Sequence, residues 1–484
     1  MNFLDLSPEM RQDIIDRLDL LTSTVCQEVF MKTIALDIGT TKICGILIDS
    51  QSGELLESRT CSNDSCISDT LPWEKCQDPA RILSCCMSIL DEFRQIAQKP
   101  PDDIVSIGIT GQMHGILYLD ASGHAVSPLY TWQDERGSQS FSDNNTYASY
   151  LSRVTGYPMA TGYGLTTHFY MVHNDLVPGE ADVFCTIQDF IAMSLAHSPS
   201  PLVHSSDAAS FGLFNIEKNI FDPAALQQAG IDPVLLPSVT RETKTLGLTP
   251  DGIPVSVAIG DNQASFLGSV CDPDAVLVNV GTGSQVSARV RMAASIEGLQ
   301  FRPFAGGMLC VGSPLCGGYS YAVLKEFFMQ SAGLLDQTQI PANLYQKMDA
   351  AAQEVYSAGQ PLIVDTRFRG TRENPKLRGR IENISPANLT PGHLCLAVLK
   401  GICNELFSLY RKIPDGPPRT TLIGSGNGIR SSPILQQIFT DTFGLELKIP
   451  LYKEEAAYGA ALFSLCASGY CRSLQEAQDK IKYR

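Results

Sequence analysis

Several things are scarce or missing in this sequence. Lys and Arg number 36 against 51 Asp and Glu, a net charge of −15, and the basic residues never gather into a run. That leaves no electrostatic footprint for nucleic acid and no polybasic membrane anchor. No stretch approaches the roughly 18–20 apolar residues of a membrane span. The dipeptide Gly-Lys does not occur, which excludes a Walker A loop. None of the seven histidines precedes a glutamate, so there is no H-E-x-x-H zinc helix, and no G-x-S-x-G elbow is present. Gly424-Ser425-Gly426-Asn427-Gly428 is glycine-rich but lacks the spacing G-x-G-x-x-G. P-loop, nicotinamide and zinc-protease chemistry all lose ground.

The fifteen cysteines contain no C-x-x-C, and Cys61/Cys66 and Cys466/Cys471 have no zinc spacing. With no secretory signal, a disulfide framework is not expected, and most cysteines read as small core residues of a reducing cytosol. Cys85 and Cys86 follow the helix start Asp78-Pro79, where Ile82, Cys85, Ile89 and Phe93 recur at helical spacing. A redox-active vicinal pair is the other reading of those two.

What is present is a globular composition, 44% hydrophobic and 18% charged over 484 residues, enough for two or three domains. One pattern occurs twice. Residues 34–48 read IALDIGTTKICGILI and residues 276–290 read VLVNVGTGSQVSARV. Each places alternating apolar residues before a Gly-Thr turn and a second apolar stretch, the pattern of a β-hairpin with one buried face. Asp37, Gly39 and Thr40 correspond to Asn279, Gly281 and Thr282, half the chain later. Two similarly folded domains follow. Gly-Thr is a good tight turn in itself. It also lets backbone N–H groups converge on an anion while hydroxyls add donors. Facing hairpins could hold a polyphosphate between them.

Residues 254–268, PVSVAIGDNQASFLG, run from an apolar strand through Gly260-Asp261 into a helical pattern. An acid there either caps the helix or, pointing into a cleft, accepts the proton of an attacking hydroxyl. Gly111-Gln112-Met113-His114-Gly115 offers close backbone approach beside two side chains that both donate and accept, suited to hydroxyl recognition. In Thr131-Trp132-Gln133-Asp134-Glu135-Arg136-Gly137, Trp132 gives a flat apolar face, Asp134 an acceptor and Arg136 a partner for it.

ALDIGTTK resembles the first phosphate motif of the FGGY carbohydrate kinases, within the actin/hexokinase/Hsp70-like ATPases, and VNVGTGSQ resembles the second. LIGSGNGIRSSPILQQIFTDTFG, residues 422–444, is similar to their adenosine motif, and EEAAYGAALFSL, residues 454–465, to the helix closing that domain. The resemblance implies an α/β fold of two actin-like (ribonuclease H-like) domains with a cleft between them, each a mixed five-stranded sheet. The expected division is a sugar-binding domain over 31–270 and a nucleotide-binding domain over 271–484. The reaction implied is phosphoryl transfer from ATP with Mg²⁺ to a terminal primary hydroxyl of a ketose. By resemblance Asp261 is the general base and Asp37 works beside Mg²⁺. The nucleotide is expected against Gly39, Thr40, Thr41, Lys42, Gly281, Thr282, Gly283, Gly317, Gly318, Gly424, Ser425, Gly426 and Asn427. The sugar is expected against Gln112, Met113, His114, Trp132, Asp134, Arg136, Asp261, Asn262 and Gln263.

TWQDERG and GQMHG, with the segments beginning at Thr161, Thr186 and His204, look most like the seven-carbon-ketose branch of the family. Xylulokinases are near neighbours. Gln188, Asp189 and Asp207 bear on the sugar or simply cap helices. Thr371 stands where the family commonly has glutamate, and the adenosine turn is Gly-Ser-Gly rather than three glycines. Both leave the choice of nucleotide open. The remaining alternatives are an actin-like ATPase without sugar kinase activity and a non-catalytic scaffold. The expected partner is the small-molecule ketose, with no nucleic acid and no membrane, in a cytoplasmic monomer or homodimer. Residues 1–30 are acidic, with Met10, Ile14, Leu18, Leu21 and Val25 at helical spacing after Ser7-Pro8. They read as an appendage, either a docking helix or a product of an upstream start codon.

Overall fold

The computed structural model of the chain describes residues 31–484 except 69–70, 98–102, 143, 306, 335–340, 360, 372–373, 375 and 415–417. The helix expected over residues 1–30, and any docking by it, lie outside the described residues.

The first half is built on a seven-stranded sheet. Its strands are β1 (Lys32–Ile38), β2 (Lys42–Asp49), β3 (Leu55–Ser62), β4 (Ile104–Gly111), β5 (Thr245–Leu248), β6 (Pro254–Ser256) and β7 (Ile259–Gly260). The order is β5-β6-β4-β1-β2-β3, with β7 pairing β4 beyond β6. β1 runs antiparallel to β2 and parallel to β4. Helices α1 (Pro79–Ile96), α2 (Ile187–Leu195), α3 (Ser205–Ala208) and α4 (Asp261–Ser269) belong to this half. α1 starts where the sequence placed it, with Asp78 accepting from the N–H groups of Ala80 and Arg81 and Pro79 in the first turn.

The second half repeats the plan. Its strands are β8 (Val276–Val280), β9 (Ser284–Val290), β10 (Leu299–Phe304), β11 (Gly307–Gly312), β12 (Thr421–Ser425) and β13 (Glu446–Lys448), in the order β10-β11-β9-β8-β12-β13. β8 is antiparallel to β9 and parallel to β12, as β1 is to β2 and β4. Both sheets exceed the five strands expected. Short edge strands β5–β7 extend one and the β10–β11 hairpin widens the other, and neither carries a long apolar run. Helices α5 (Gly318–Gly333), α6 (Pro391–Tyr410), α7 (Gly426–Ser431) and α8 (Glu455–Ala467) complete the outline. Contrary to the expectation that no stretch approaches a membrane span, α6 is long and apolar enough to cross a membrane by length and composition. Its Cys395, Val398, Leu399, Ile402 and Leu406 are instead buried in the core of the second half with Val276, Val278 and Val280.

The repeated hairpins are covered on both faces, not on one as their alternation suggested. Ile34, Leu36 and Ile38 enter the core beneath α1, while Ala35, Cys44, Ile46 and Ile48 pack on α8. Each buried Ile or Leu contributes about 1.5–3 kcal/mol relative to exposure. α8, which the resemblance placed as the closing helix of the second half, thus lies across the sheet of the first. It also crosses α4 closely. A Cβ on Gly459 would sit 1.8 Å from the Ala264 carbonyl oxygen, so only glycine allows that approach. Phe463 of α8 and Phe266 of α4 then join Leu277, Leu309 and Ile423 of the second sheet. α4 and α8 thus form the apolar junction between the halves. Near the C-terminus a short helix spans Leu474–Gln478, and Ile481 lies beyond it.

Most of the described cysteines are free and buried, as expected, with one exception. Cys61 of β3 and Cys85 of α1 form a disulfide where the helix crosses the sheet, while Cys86 rather than Cys85 is the fully buried member of the vicinal pair. The helical period brings Cys85 to the flank of α1 beside β3, a contact that the sequence spacing does not reveal.

Candidate functional site

Strand register brings two acids together. Ile38 of β1 and Gly260 of β7 both pair with Gly111 at the end of β4. Asp37 precedes the first and Asp261 follows the second, so both carboxylates stand at one sheet edge. The Ile259–Gly260 peptide, one peptide before Asp261, is held because Thr110 Oγ1 donates to the Ile259 carbonyl at 2.7 Å. Burial, then the charges of Asp261 and Glu454, push the Asp37 carboxyl up to about 7, opposed by Lys42. Burial pushes Asp261 up to about 6, opposed by the Asn262 N–H and by Arg302. Arg302 comes from β10 in the other half, so residues of both halves surround this acid pair. Lys42 pairs with Glu454 at 3.6 Å across the same junction. Among the described residues no cluster of three or more His, Cys, Asp or Glu forms a metal cage.

The second hairpin is built for close backbone approach. Gly281 N–H donates to the Gly283 carbonyl at 3.0 Å, and Gly318 N–H donates to the Gly281 carbonyl at 2.9 Å. Gly317 and Tyr319 both donate to the Thr282 carbonyl. A Cβ on Gly317 would meet the Gly283 carbonyl oxygen at 2.2 Å. Gly426, with φ +81°, rests on the end of β8, where a Cβ would lie 2.6 Å from the Val280 carbonyl oxygen. Asn279 Nδ2 donates to Ser425 Oγ at 2.8 Å. The segments at 281–283, 317–318 and 424–427 therefore converge, with Thr282, Gly283 and Asn427 exposed.

The first hairpin faces other neighbours. Trp132 Nε1 donates to Thr40 Oγ1 at 2.9 Å, and Thr40 Oγ1 donates to Gln112 Oε1 at 3.1 Å. Gln112 Nε2 donates to Gln77 Oε1, and Gln77 Nε2 to the Thr40 carbonyl, both at 2.8 Å. Asn63 Nδ2 donates to the Gly39 carbonyl, and Asn63 N–H to that of Thr41. Trp132 is 46% exposed and offers its ring to the cleft. His114 holds φ +76° and stacks on Tyr163 with ring centroids 4.7 Å apart. Its Nδ1 lies 2.8 Å from the Ser210 carbonyl, which can only accept, so that nitrogen carries the hydrogen.

Six of the residues expected to meet the sugar are buried or hydrogen-bonded to other protein groups in this structure. Asp134 is fully buried, accepting from the N–H groups of Lys75 and Arg136 and from the Arg136 guanidinium. Arg136 also donates to Glu74 Oε1 at 2.7 Å and lies over the Tyr130 ring. This pair shapes the Trp132 turn from behind. Gln112 is buried with both ends of its amide engaged. Gln263 is buried and donates to the Pro303 carbonyl of β10. Asn262, half-buried, donates to Gln285 Oε1 of β9 at 2.7 Å, tying α4 to the second hairpin. Met113 is buried against Gly260. Tyr163 and Arg302 were not singled out. Tyr163 lay inside a segment already quoted, whereas nothing marks Arg302 before β10 is seen beside α4.

Two sequence patterns, the N-terminal and C-terminal domains of the FGGY family of carbohydrate kinases, match residues 32–268 and 276–468. Sedoheptulokinases of Mus musculus and Homo sapiens are 28% and 27% identical to the chain, over 90% of it and 97% of each relative. The crystal structure of a xylulose kinase from Rhodospirillum rubrum superposes with a TM-score of 0.79 at 20% identity, covering 94% of this chain and 93% of that one. That likeness is one of fold.

Proposed function

The chain belongs to the FGGY family of carbohydrate kinases, and from that premise we propose that it phosphorylates the terminal primary hydroxyl of a ketose, foremost sedoheptulose to sedoheptulose 7-phosphate. Kinases of this family use ATP. The observation that carries the reading is the pair Asp37 and Asp261 at the end of β4, with a Gly-Thr turn on either side of the cleft. The seven-carbon substrate is supported by the two sedoheptulokinase relatives.

Asp261 is the general base in this reading. Its carboxyl is raised to about 6, so it is mostly ionised at pH 7 yet basic enough to take a hydroxyl proton. The hydroxyl oxygen bonds to the γ-phosphorus, the bond from phosphorus to the bridging oxygen of ADP breaks, and the proton passes to Asp261. Trp132 and His114 orient the sugar from one side. The turns at Gly39–Lys42 and Gly281–Gly283 offer N–H and hydroxyl donors to the phosphates. Gly317, Gly318 and the residues 424–427 flank the nucleoside. Asp37 would hold Mg²⁺ through its hydration shell, and the ion would screen the phosphate charge. The Asp37 carboxylate, raised by burial and then by the charges of Asp261 and Glu454 with no cage of three or more His, Cys, Asp or Glu among the described residues, suits an ion that keeps water and phosphate ligands. Closure about α4 and α8 excludes water from the transfer.

Xylulose is the second reading, favoured by Gly111-Gln112-Met113-His114-Gly115, which resembles the ketose segment of xylulokinases. ADP release measured with sedoheptulose, xylulose, ribulose, fructose and glycerol separates the two. The highest kcat/KM is expected for sedoheptulose. A strong response to xylulose with none to sedoheptulose would overturn the substrate assignment.

A further inference from the structure

Ser206 and the Ser210 hydroxyl have no role assigned above, yet their segment, His204 to Phe211, reaches both sides of the sugar site. Ser206 Oγ accepts the Gly260 N–H at 3.0 Å, one residue before Asp261. Ser210 Oγ accepts the His114 N–H at 3.0 Å, and the Ser210 carbonyl takes His114 Nδ1 at 2.8 Å. The two serines are four residues apart, on α3 and the turn that continues it, and both are buried. Asp207 between them accepts from Gln188 Nε2 of α2 at 2.9 Å. A Cβ on Gly111 would touch Gln188 Oε1 at 3.2 Å, so this anchor sits beneath the end of β4.

The donors and acceptors are specified in detail. His204 Nδ1 lies 2.8 Å from Ser206 Oγ and also accepts the Ser206 N–H at 3.2 Å. Accepting twice, that nitrogen carries no hydrogen, and burial of the ring keeps it neutral by lowering it to about 4. The Ser206 hydroxyl hydrogen therefore points to His204 and its lone pair to Gly260. At the other end, His114 is a non-glycine residue in the left-handed region, a conformation that persists only when its surroundings over-determine it. Ser210 contributes two of the contacts that do so, and the Tyr163 stack another.

We infer that Ser206 and Ser210 are positioning residues, one for the general base Asp261 and one for the sugar-side His114, held on a single buried segment. This rests on the roles proposed for Asp261 and His114. The two serines act on different steps. Ser206 sets the peptide that aims the Asp261 carboxylate and so bears on kcat. Ser210 sets the ring that meets the sugar and so bears on the ketose KM.

The test is steady-state kinetics of Ser206→Ala and Ser210→Ala, with Ser206→Thr and Ser210→Thr as variants that keep the acceptor, and with melting temperatures recorded for all. Ser206→Ala is expected to lower kcat by about tenfold or more with both KM values little changed. Ser210→Ala is expected to raise the ketose KM by about tenfold while kcat and the ATP KM hold. The threonine variants should recover most of each loss. Proportional loss of kcat and ketose affinity in both alanine variants would mark the segment as merely structural and overturn the inference. So would wild-type kinetics in either one. The arms are independent, so Ser210→Ala decides alone if Ser206→Ala does not fold. Asp261→Asn, run in parallel, separates the two readings. Its retained activity removes the base, whereas an inactive Asp261→Asn beside a fully active Ser206→Ala removes only the positioning role.

Discussion

The two Gly-Thr hairpins share a fold and differ in what surrounds their turns. In the first, Asp37 faces Asp261 and Glu454 and is raised to about 7. In the second, the corresponding Asn279 is neutral and is paired with Ser425. The hydroxyl of Thr40 is tied to Trp132 and Gln112 on the sugar side, whereas Thr282 is exposed and its turn is backed by the Gly317–Tyr319 backbone. In the proposed reading the first hairpin therefore serves the sugar and the site of chemistry, and the second the nucleotide. In that reading, one carboxylate pole rather than two would let a divalent cation sit on one side of the phosphates without a second negative charge repelling them from the other.

Exchanging residues between the hairpins puts this asymmetry under strain. The largest effect is expected at the base shared by the cleft: Asp261→Asn lowers kcat by about 10²–10⁴-fold while ATP still binds, read by turnover and by titration calorimetry. Asp37→Asn comes next, with a loss of about 10²-fold or more in kcat and a weakened response to added Mg²⁺. Asn279→Asp is the reverse exchange. It places a charge near the phosphates and strips the donor from Ser425, raising the ATP KM by about tenfold with little change in ketose KM. If Asp37→Asn and Asn279→Asp gave the same kinetic signature, the two poles would be equivalent. Trp132→Phe keeps the ring and removes the N–H that reaches Thr40, and should raise KM by about two- to tenfold.

The pH dependence follows from the same pair. Asp261 must be ionised to accept a proton, so kcat/KM for the ketose rises through about pH 6. Stability moves the other way. Both acids lie above their unfolded values of about 3.8, so between about pH 4 and 7 the folded state binds more protons than the unfolded one. Stability contributed by these groups is therefore lost as pH rises through that window. Asp37→Asn should melt higher than the wild type at pH 8, the smallest of these effects, while turning over far more slowly. A lower melting temperature would show that the charge is compensated in the fold.

Much of this arrangement was readable in the chain because it is local. Strand alternation around Gly-Thr, glycine at 317–318 and 424–426, and an acid at the end of an apolar strand each depend on a few adjacent residues. What adjacent residues do not show, distant segments decide. Asp134 is enclosed because Lys75 and Arg136 converge on it, and Gln112 is occupied because Gln77 and Thr40 arrive from other strands. α8 packs on the first sheet because Gly459 admits α4, a match of small residues far apart in sequence. The Cys61–Cys85 bridge and Arg302 beside Asp261 likewise exist only once helix, sheet and hairpin are assembled.

The position of the phosphate in the product bears most directly on the proposed activity. The protein is incubated with ATP, Mg²⁺ and sedoheptulose, and the sugar product is read by phosphorus–proton correlated NMR. Phosphate on carbon 7, formed in step with ADP, is the predicted result. Phosphate on another carbon, or ADP released with inorganic phosphate and unmodified sugar, would contradict it.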